Sequence, residues 1–146
     1  MERKTVPLRF CKSKVPLVTF RLAGEEHYAI IDTGSDITML DVSLKDKIKT
    51  KEIDLEMSCV GVNGGSEYQK VIQGACRADL ITSENESVNV VFGGMIYDLK
   101  AISNHLESRN KERINVSALL GGDFLKHHNA KIDYKKKTLT IDDLEK

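Results

Sequence analysis

The residues best placed to do chemistry stand in the stretch YAIIDTGSDITML, residues 28–40. Asp32 follows an apolar, β-branched run, and the apolar pattern resumes a few residues later. A carboxylate between two buried strands is costly unless the chain has a use for it. Gly34 permits a tight turn, the Thr33 hydroxyl can lock the loop to neighbouring backbone, and Ser35 can donate to one Asp32 oxygen. The pattern indicates a carboxylate held rigidly at the floor of a cleft.

The same tripeptide has a purely structural explanation. In an Asx-turn, Asp32 would only accept hydrogen bonds from its own loop. A D-T-G tripeptide also occurs by chance in unrelated proteins, so the elements around it must decide.

Short strands are predicted on both sides of this loop. Residues 15–24 alternate apolar and polar side chains, and residues 27–32 resume after a Gly-Glu-Glu turn, which predicts a hairpin. Further strands are predicted at 75–81 and 88–92. The chain is therefore expected to be rich in β-structure.

A second hairpin is predicted around Asn63-Gly64, because a type I′ turn needs positive φ at both central residues. It would pair residues 57–62 with residues 65–73. Three glycines in five positions leave its tip little to pack, so the hairpin should project from the domain and be mobile.

Two helices interrupt the β pattern. Leu99, Ile102 and Leu106 are spaced three and four apart, which predicts one amphipathic helix over residues 98–112. A short helix is predicted from about 122 to 128, after a buried strand that ends at Leu120. Two short strands around a lysine turn close the chain.

Composition limits the function classes. The 146 residues fit a single domain, residues 1–146. The formal net charge is zero, which argues against nucleic-acid binding through a basic surface. No apolar run is long enough for a membrane helix, and the start lacks the apolar segment of a secretory signal. Three cysteines without metal-ligand spacing favour free thiols in a reducing compartment, so we expect a cytoplasmic protein without a metal or cofactor.

The apolar-apolar-Asp-Thr-Gly-Ser pattern resembles the catalytic loop of aspartic proteases, and the single-lobed retropepsin group in particular. ALLGGDFL, residues 118–125, is similar to the stretch that passes beside that loop and enters a short helix in this family. The glycine-tipped hairpin, about 57–73, stands where the family has its flap. The resemblance implies an all-β, retropepsin-like closed β-barrel with a flap hairpin, one short C-terminal helix and an additional amphipathic helix at about 98–112.

The resemblance also implies roles for individual residues. Asp32 would be the catalytic aspartate, with Thr33 and Gly34 completing its loop and Thr33 reaching into the loop of a partner. Substrate contacts would come from Ser35, Asp36, Val62, Asn63, Gly64, Gly65 and Leu119.

One departure from the family pattern concerns the residues after Gly121. Viral members usually continue with an arginine and an asparagine, whereas this chain has Gly122 and Asp123. Whatever the arginine braces there must be braced differently here, and Arg9 is one candidate.

Peptide hydrolysis by this chemistry needs two carboxyls, one ionised and one protonated. The chain has a single D-T-G, so the resemblance implies a homodimer acting on an extended peptide or protein substrate. The terminal stretches 5–10 and 137–141 are expected to join the two copies, because each would otherwise be an unpaired edge. The predicted function is that of an aspartic endopeptidase. The alternatives are a noncatalytic peptide-binding or assembly module with the same fold, and an unrelated small β-barrel with a chance D-T-G.

Overall fold

The computed structural model of the chain describes residues 2–12, 14–58 and 66–144. Within these ranges the chain forms eleven strands, two α-helices and a 3-10 helix at Val42–Lys47. The strands are β1 (Glu2–Pro7), β2 (Arg9–Phe10), β3 (Pro16–Leu22), β4 (Glu25–Ile31), β5 (Met39–Asp41), β6 (Lys49–Ser58), β7 (Ser66–Ile81), β8 (Ser87–Tyr97), β9 (Val116–Leu120), β10 (Lys131–Asp133) and β11 (Thr138–Asp143). The α-helices are α1 (Lys100–Asn110) and α2 (Gly122–His127).

Six strands close into a barrel. Their order is β3-β4-β9-β5-β8-β7, and a further antiparallel pairing of β3 with β7 closes the ring. The β4–β9 and β5–β8 pairs are parallel and the others are antiparallel, so the barrel is mixed. Closure pairs both edges of the six-stranded ring, and β2 and β6 remain as the end strands of the eight-stranded sheet. The predicted all-β closed barrel is confirmed.

The barrel interior is filled by side chains that alternate along the strands. Along β8, every second residue from Val88 to Phe92 is buried and its neighbours are not, as the period of a half-buried strand requires. Phe92 packs edge-to-face on Phe20 at 4.9 Å between ring centroids and on Phe124 of α2 at 5.7 Å. The short helix is therefore fastened to the barrel by aromatic packing.

The amphipathic helix is confirmed and lies against the outside of the barrel. Leu106 is buried together with Leu17, Ile30 and Val116, which come from strands β3, β4 and β9. The helix ends at Lys111, whose positive φ of 53° forms a left-handed C-cap. Its apolar stripe thus covers the strands that lead into the Asp32 loop. Within the described part of the chain, no helix combines the length and apolar sequence that crossing a membrane requires.

The second hairpin differs from its prediction. Strand β6 begins at Lys49 and pairs with β7 from Lys49–Ala75 to Ser58–Ser66, so the arms are longer than residues 57–73. Strand β7 also runs unbroken through Gly74, where a break was expected. A Cβ there would lie 2.7 Å from the Ile48 Cδ1 atom, so the glycine admits a close neighbour rather than ending the strand. The turn at Asn63-Gly64 lies outside the described residues.

The chain termini form a separate three-stranded sheet in the order β1-β11-β10. Strand β1 pairs with β11 of the same chain along its whole length, from Glu2–Asp143 to Pro7–Thr138. The expectation that the terminal stretches would be unpaired edges without a partner is therefore wrong. The reason is that the antiparallel termini meet within one chain and bury Val6 against Leu139 and Ile141.

Two histidines are buried in this fold. His128 is fully buried at the end of α2, where the Val91 N–H donates to its Nε2 atom at 3.2 Å. His27 stacks on Phe20 and lies 2.8 Å from the Ser117 Oγ atom. Burial lowers the pKa of each imidazole below its ordinary value of 6.5. Each imidazole therefore binds a proton less readily in the folded protein than in the unfolded chain.

We expect the free energy of unfolding to fall as the pH drops below about 6.5, where the unfolded chain binds protons that the folded barrel excludes. Above about pH 6.5 the two neutral histidines make their full contribution to the free energy of unfolding. Each histidine that protonates only on unfolding costs up to about 1.4 kcal/mol per pH unit. Chemical denaturation between pH 7.5 and 5 measures the slope. The variant His128→Gln should flatten it, whereas His105→Gln, at an exposed position of α1, should not. Equal slopes in all three proteins would contradict this assignment.

Candidate active site

Asp32 begins the loop that leaves β4. Its N–H donates to the Leu120 carbonyl at 2.9 Å, so the loop starts from the end of the neighbouring strand β9. The Gly34 N–H donates to the Asp32 Oδ1 atom at 3.0 Å, and the Ser35 N–H donates to the Asp32 carbonyl at 3.2 Å. The turn is an Asx-turn closed on the aspartate itself. The Asp32 side chain is half-buried, so a fixed carboxylate is presented at the surface of the loop.

Thr33 and Gly34 form the exposed apex of this turn. A Cβ on Gly34 would lie 3.4 Å from the Asp32 Oδ1 atom, in van der Waals contact with the carboxylate. The reach of Thr33 into a partner loop stays a prediction.

The Ser35 hydroxyl differs from expectation. It donates to the Ile37 carbonyl at 2.8 Å rather than to the Asp32 carboxylate. The Asp32 Oδ1 atom already accepts the Gly34 N–H, and the Ser35 side chain instead satisfies a carbonyl further along the loop. Ser35 therefore stiffens the second half of the loop.

The strand-to-helix junction at Gly121-Gly122 lies directly behind the loop, as the family resemblance implied for residues 118–125. A Cβ on Gly121 would lie 2.4 Å from the Ile37 carbonyl oxygen and 2.8 Å from that of Ser35, so only glycine fits. The Gly122 N–H donates to the Ser35 carbonyl at 2.7 Å. Two motifs far apart in sequence are thus brought into backbone contact.

Leu119 enters the same region from β9. It pairs with Ile30 of β4 and with Met39 of β5, and it is half-buried. Asp36 and Ile37 are exposed beside the loop, Ile37 at 42% of its surface. The described candidates for substrate contact therefore lie on or next to one loop. The other four, Val62, Asn63, Gly64 and Gly65, lie outside the described residues.

The sequence interpretation missed Thr38. This residue is fully buried, although it is polar. Its hydroxyl donates to the Asp123 Oδ1 atom at 2.7 Å, its N–H donates to Oδ2 at 3.1 Å, and its Oγ1 atom accepts the Gly121 N–H at 3.1 Å. The sequence signal that could have found it is a threonine in the ITML stretch, at a position that the alternation of the strand directs toward the core.

Arg9 is engaged elsewhere. Its guanidinium forms an ion pair with Glu112, donates to the Tyr28 hydroxyl at 2.9 Å and lies 5.5 Å from the centre of that ring. The suggestion that Arg9 braces the loop is therefore not what the structure shows. The segment that follows Asp32 is contacted instead by Gly121, Gly122 and Asp123.

Other chemistries find little support in the described part of the chain. There, no three His, Cys, Asp or Glu side chains gather closely enough to hold a metal ion. Cys11 and Cys76 are free thiols, and burial raises the pKa of Cys76 to about 11. A group with that pKa stays protonated near neutrality and is a poor nucleophile. Cys59 lies outside the described residues.

Comparison with solved structures finds the retroviral protease-like domain of Ddi1 from Leishmania major. The two chains share 17% sequence identity, with 97% of this chain and 92% of that chain covered, at a TM-score of 0.46. Neither a scan against protein-family models nor a search of curated proteins finds a match. The closed barrel, the Asp32 loop and the glycine junction behind it agree with the retropepsin-like fold that the sequence resemblance implied.

Proposed function

We propose that this chain is an aspartic endopeptidase whose active site forms when two copies place their Asp32 loops side by side. The observation that carries the proposal is the half-buried Asp32 carboxyl on a loop fixed by backbone hydrogen bonds at both ends. The Leu120 carbonyl and the Gly122 N–H hold this loop beyond the contacts that its own Asx-turn supplies. Hydrolysis is the chemistry that best uses such a group.

The chemistry uses water rather than a covalent nucleophile. One carboxylate of the pair takes a proton from water, and the protonated partner polarises the scissile carbonyl. Two carboxyls about 3 Å apart cannot both ionise, so they hold one proton between them. Their apparent pKa values belong to the pair rather than to either residue.

A two-fold axis supplies the second carboxyl from a chain that has one D-T-G. A symmetric dimer places the same surface of each copy on the axis, and the exposed apex at Thr33 and Gly34 is free to meet its equivalent. In the three-stranded sheet, β1 and β10 are the outer strands, and the outer edge of β1 is our candidate for pairing with the partner.

An extended peptide is the proposed substrate. The long β6–β7 hairpin continues beyond Gln73, the last β7 residue that pairs with β8, and we assign its tip to closure over the bound chain. Ser35, Asp36 and Leu119 would contact the substrate next to the dyad. Backbone pairing between enzyme and peptide needs no particular side chain, so substrate choice would depend on pockets beside these residues.

Digestion of an unstructured peptide library from pH 3 to 9 tests the proposal. We expect a bell-shaped profile with an acid-side optimum, because the pair must keep one proton. A chelator should not change the rate. Peptide binding without cleavage at any pH would indicate a noncatalytic module, and full activity at pH 9 that a chelator removes would indicate a metalloprotease.

A further inference from the structure

Asp123, in the first turn of α2, uses both carboxylate oxygens on the segment that follows the Asp32 loop. The Thr38 hydroxyl and the Phe124 N–H each donate to Oδ1 at 2.7 Å, and the Thr38 N–H donates to Oδ2 at 3.1 Å. Asp123 is an exposed residue, yet it fastens a threonine that is fully buried. Three donors thus converge on one carboxylate.

Thr38 passes this constraint to the strands around it. Its Oγ1 atom accepts the Gly121 N–H at 3.1 Å, and its carbonyl accepts the Met95 N–H at 3.1 Å. A Cβ on Gly94 would lie 2.2 Å from the Thr38 carbonyl oxygen, so β8 approaches this point closely. Thr38 therefore joins the end of the loop to β8 and to the junction after β9.

The same junction also holds the middle and the start of the loop. The N–H groups of Gly122 and Asp123 donate to the carbonyls of Ser35 and Asp36, and the Asp32 N–H donates to the Leu120 carbonyl. Asp123 thus acts on the loop twice, through its backbone at Asp36 and through its side chain at Thr38. The position of Asp32 depends on this junction.

We propose that Asp123 is the positioning residue for Asp32, holding the catalytic loop through Thr38. This inference rests on the proposed function. A carboxylate suits the role because it offers only acceptors to three donors. An asparagine would direct its amide hydrogens at one of those donors in either orientation, so at least one bond is lost. Since Asp123 is exposed, its replacement by asparagine leaves no cavity in the barrel.

The first test is the kinetics of Asp123→Asn. We expect kcat to fall by about 10- to 100-fold with KM nearly unchanged, because small displacements of a catalytic group have effects of this size. Thr38→Val should act through the same contact, so the double variant should lose less than the product of the two single losses. Thr38→Ser, which keeps the hydroxyl, should restore most of the rate.

The matched control is Asp133→Asn. Asp133 also accepts a backbone N–H, from Lys136 at 2.9 Å, in a turn of the terminal sheet. Its replacement should leave kcat and KM as they are. A kcat for Asp123→Asn equal to that of the unchanged protein, or an equal loss in Asp133→Asn, would overturn the proposal.

Amide hydrogen exchange tests the contact between Asp123 and Thr38 without measuring peptide cleavage. It therefore separates this inference from the proposed function. In Asp123→Asn, exchange at Thr38, Gly121 and Gly122 should rise by roughly tenfold, the scale of one lost charged hydrogen bond, while barrel amides such as Val90 stay unchanged. A chain that never cleaves peptides but shows this local change would refute only the peptidase. An equal rise at every amide, or no rise at all, would refute the positioning role of Asp123.

Discussion

Asp32→Asn is expected to abolish peptide hydrolysis while the barrel stays folded. In the variant dimer, neither side chain can ionise, so no group takes the proton from water. We expect kcat/KM to fall by more than about 10³-fold, the scale seen when an essential catalytic group is removed. The asparagine keeps the shape of the side chain and can still accept the Gly34 N–H through its carbonyl oxygen. The free energy of unfolding should therefore change by about 0.5 kcal/mol or less.

Asp98→Asn is the matched control for this variant. The Asp98 Oδ1 atom accepts the Lys100 N–H at 2.9 Å, the same contact across two residues that Asp32 makes with Gly34. It lies at the start of α1, away from the loop. Peptide cleavage by Asp32→Asn at a rate close to that of the unchanged chain would refute the assignment of Asp32, whatever Asp98→Asn does.

The second large effect is expected on dilution. If each chain supplies one carboxyl, the monomer has no activity, and specific activity must fall toward zero below the Kd of the dimer. Measuring specific activity together with sedimentation over several orders of magnitude in chain concentration shows whether the two fall together. Constant specific activity in a sample shown to be monomeric would refute the shared site.

Mixing the unchanged chain with Asp32→Asn gives an independent measurement of sharing. If the chains exchange freely, an equal mixture leaves about half of the unchanged chains in mixed dimers, so activity per unchanged chain falls to about half.

Deletion of residues 1–10 would be a poor substitute for the mixing experiment. Residues 1–10 include Val6 and Leu8, which are buried in the core, so their deletion would destabilise the barrel itself.

The local elements of the fold follow from the sequence alone. The alternation in 15–24 and 27–32 predicted the β3–β4 hairpin, and the spacing of Leu99, Ile102 and Leu106 predicted α1, because periodicity records which face of an element is buried. The Asp32 loop could also be predicted from the sequence, because the residues that form its turn are four consecutive positions.

The contacts between distant segments needed the tertiary structure. The Thr38–Asp123 pair joins residues 85 positions apart, and β1 meets β11 across nearly the whole chain. A local pattern can show that Thr38 is polar at a buried position and that Asp123 follows two glycines. It carries no record of which donors face which acceptors once the barrel has closed.

The division has one physical cause. Side-chain periodicity and turn residues act over a few positions, so the sequence by itself determined the hairpin, the helices and the turn that presents Asp32. At Gly74 of strand β7, Ile48 and Ile96 pack where a side chain would otherwise lie. The Ser35 hydroxyl turned to Ile37 in a loop that Gly121 supports from behind. These features depend on atoms that come into contact only after folding. The tertiary structure alone therefore determined them.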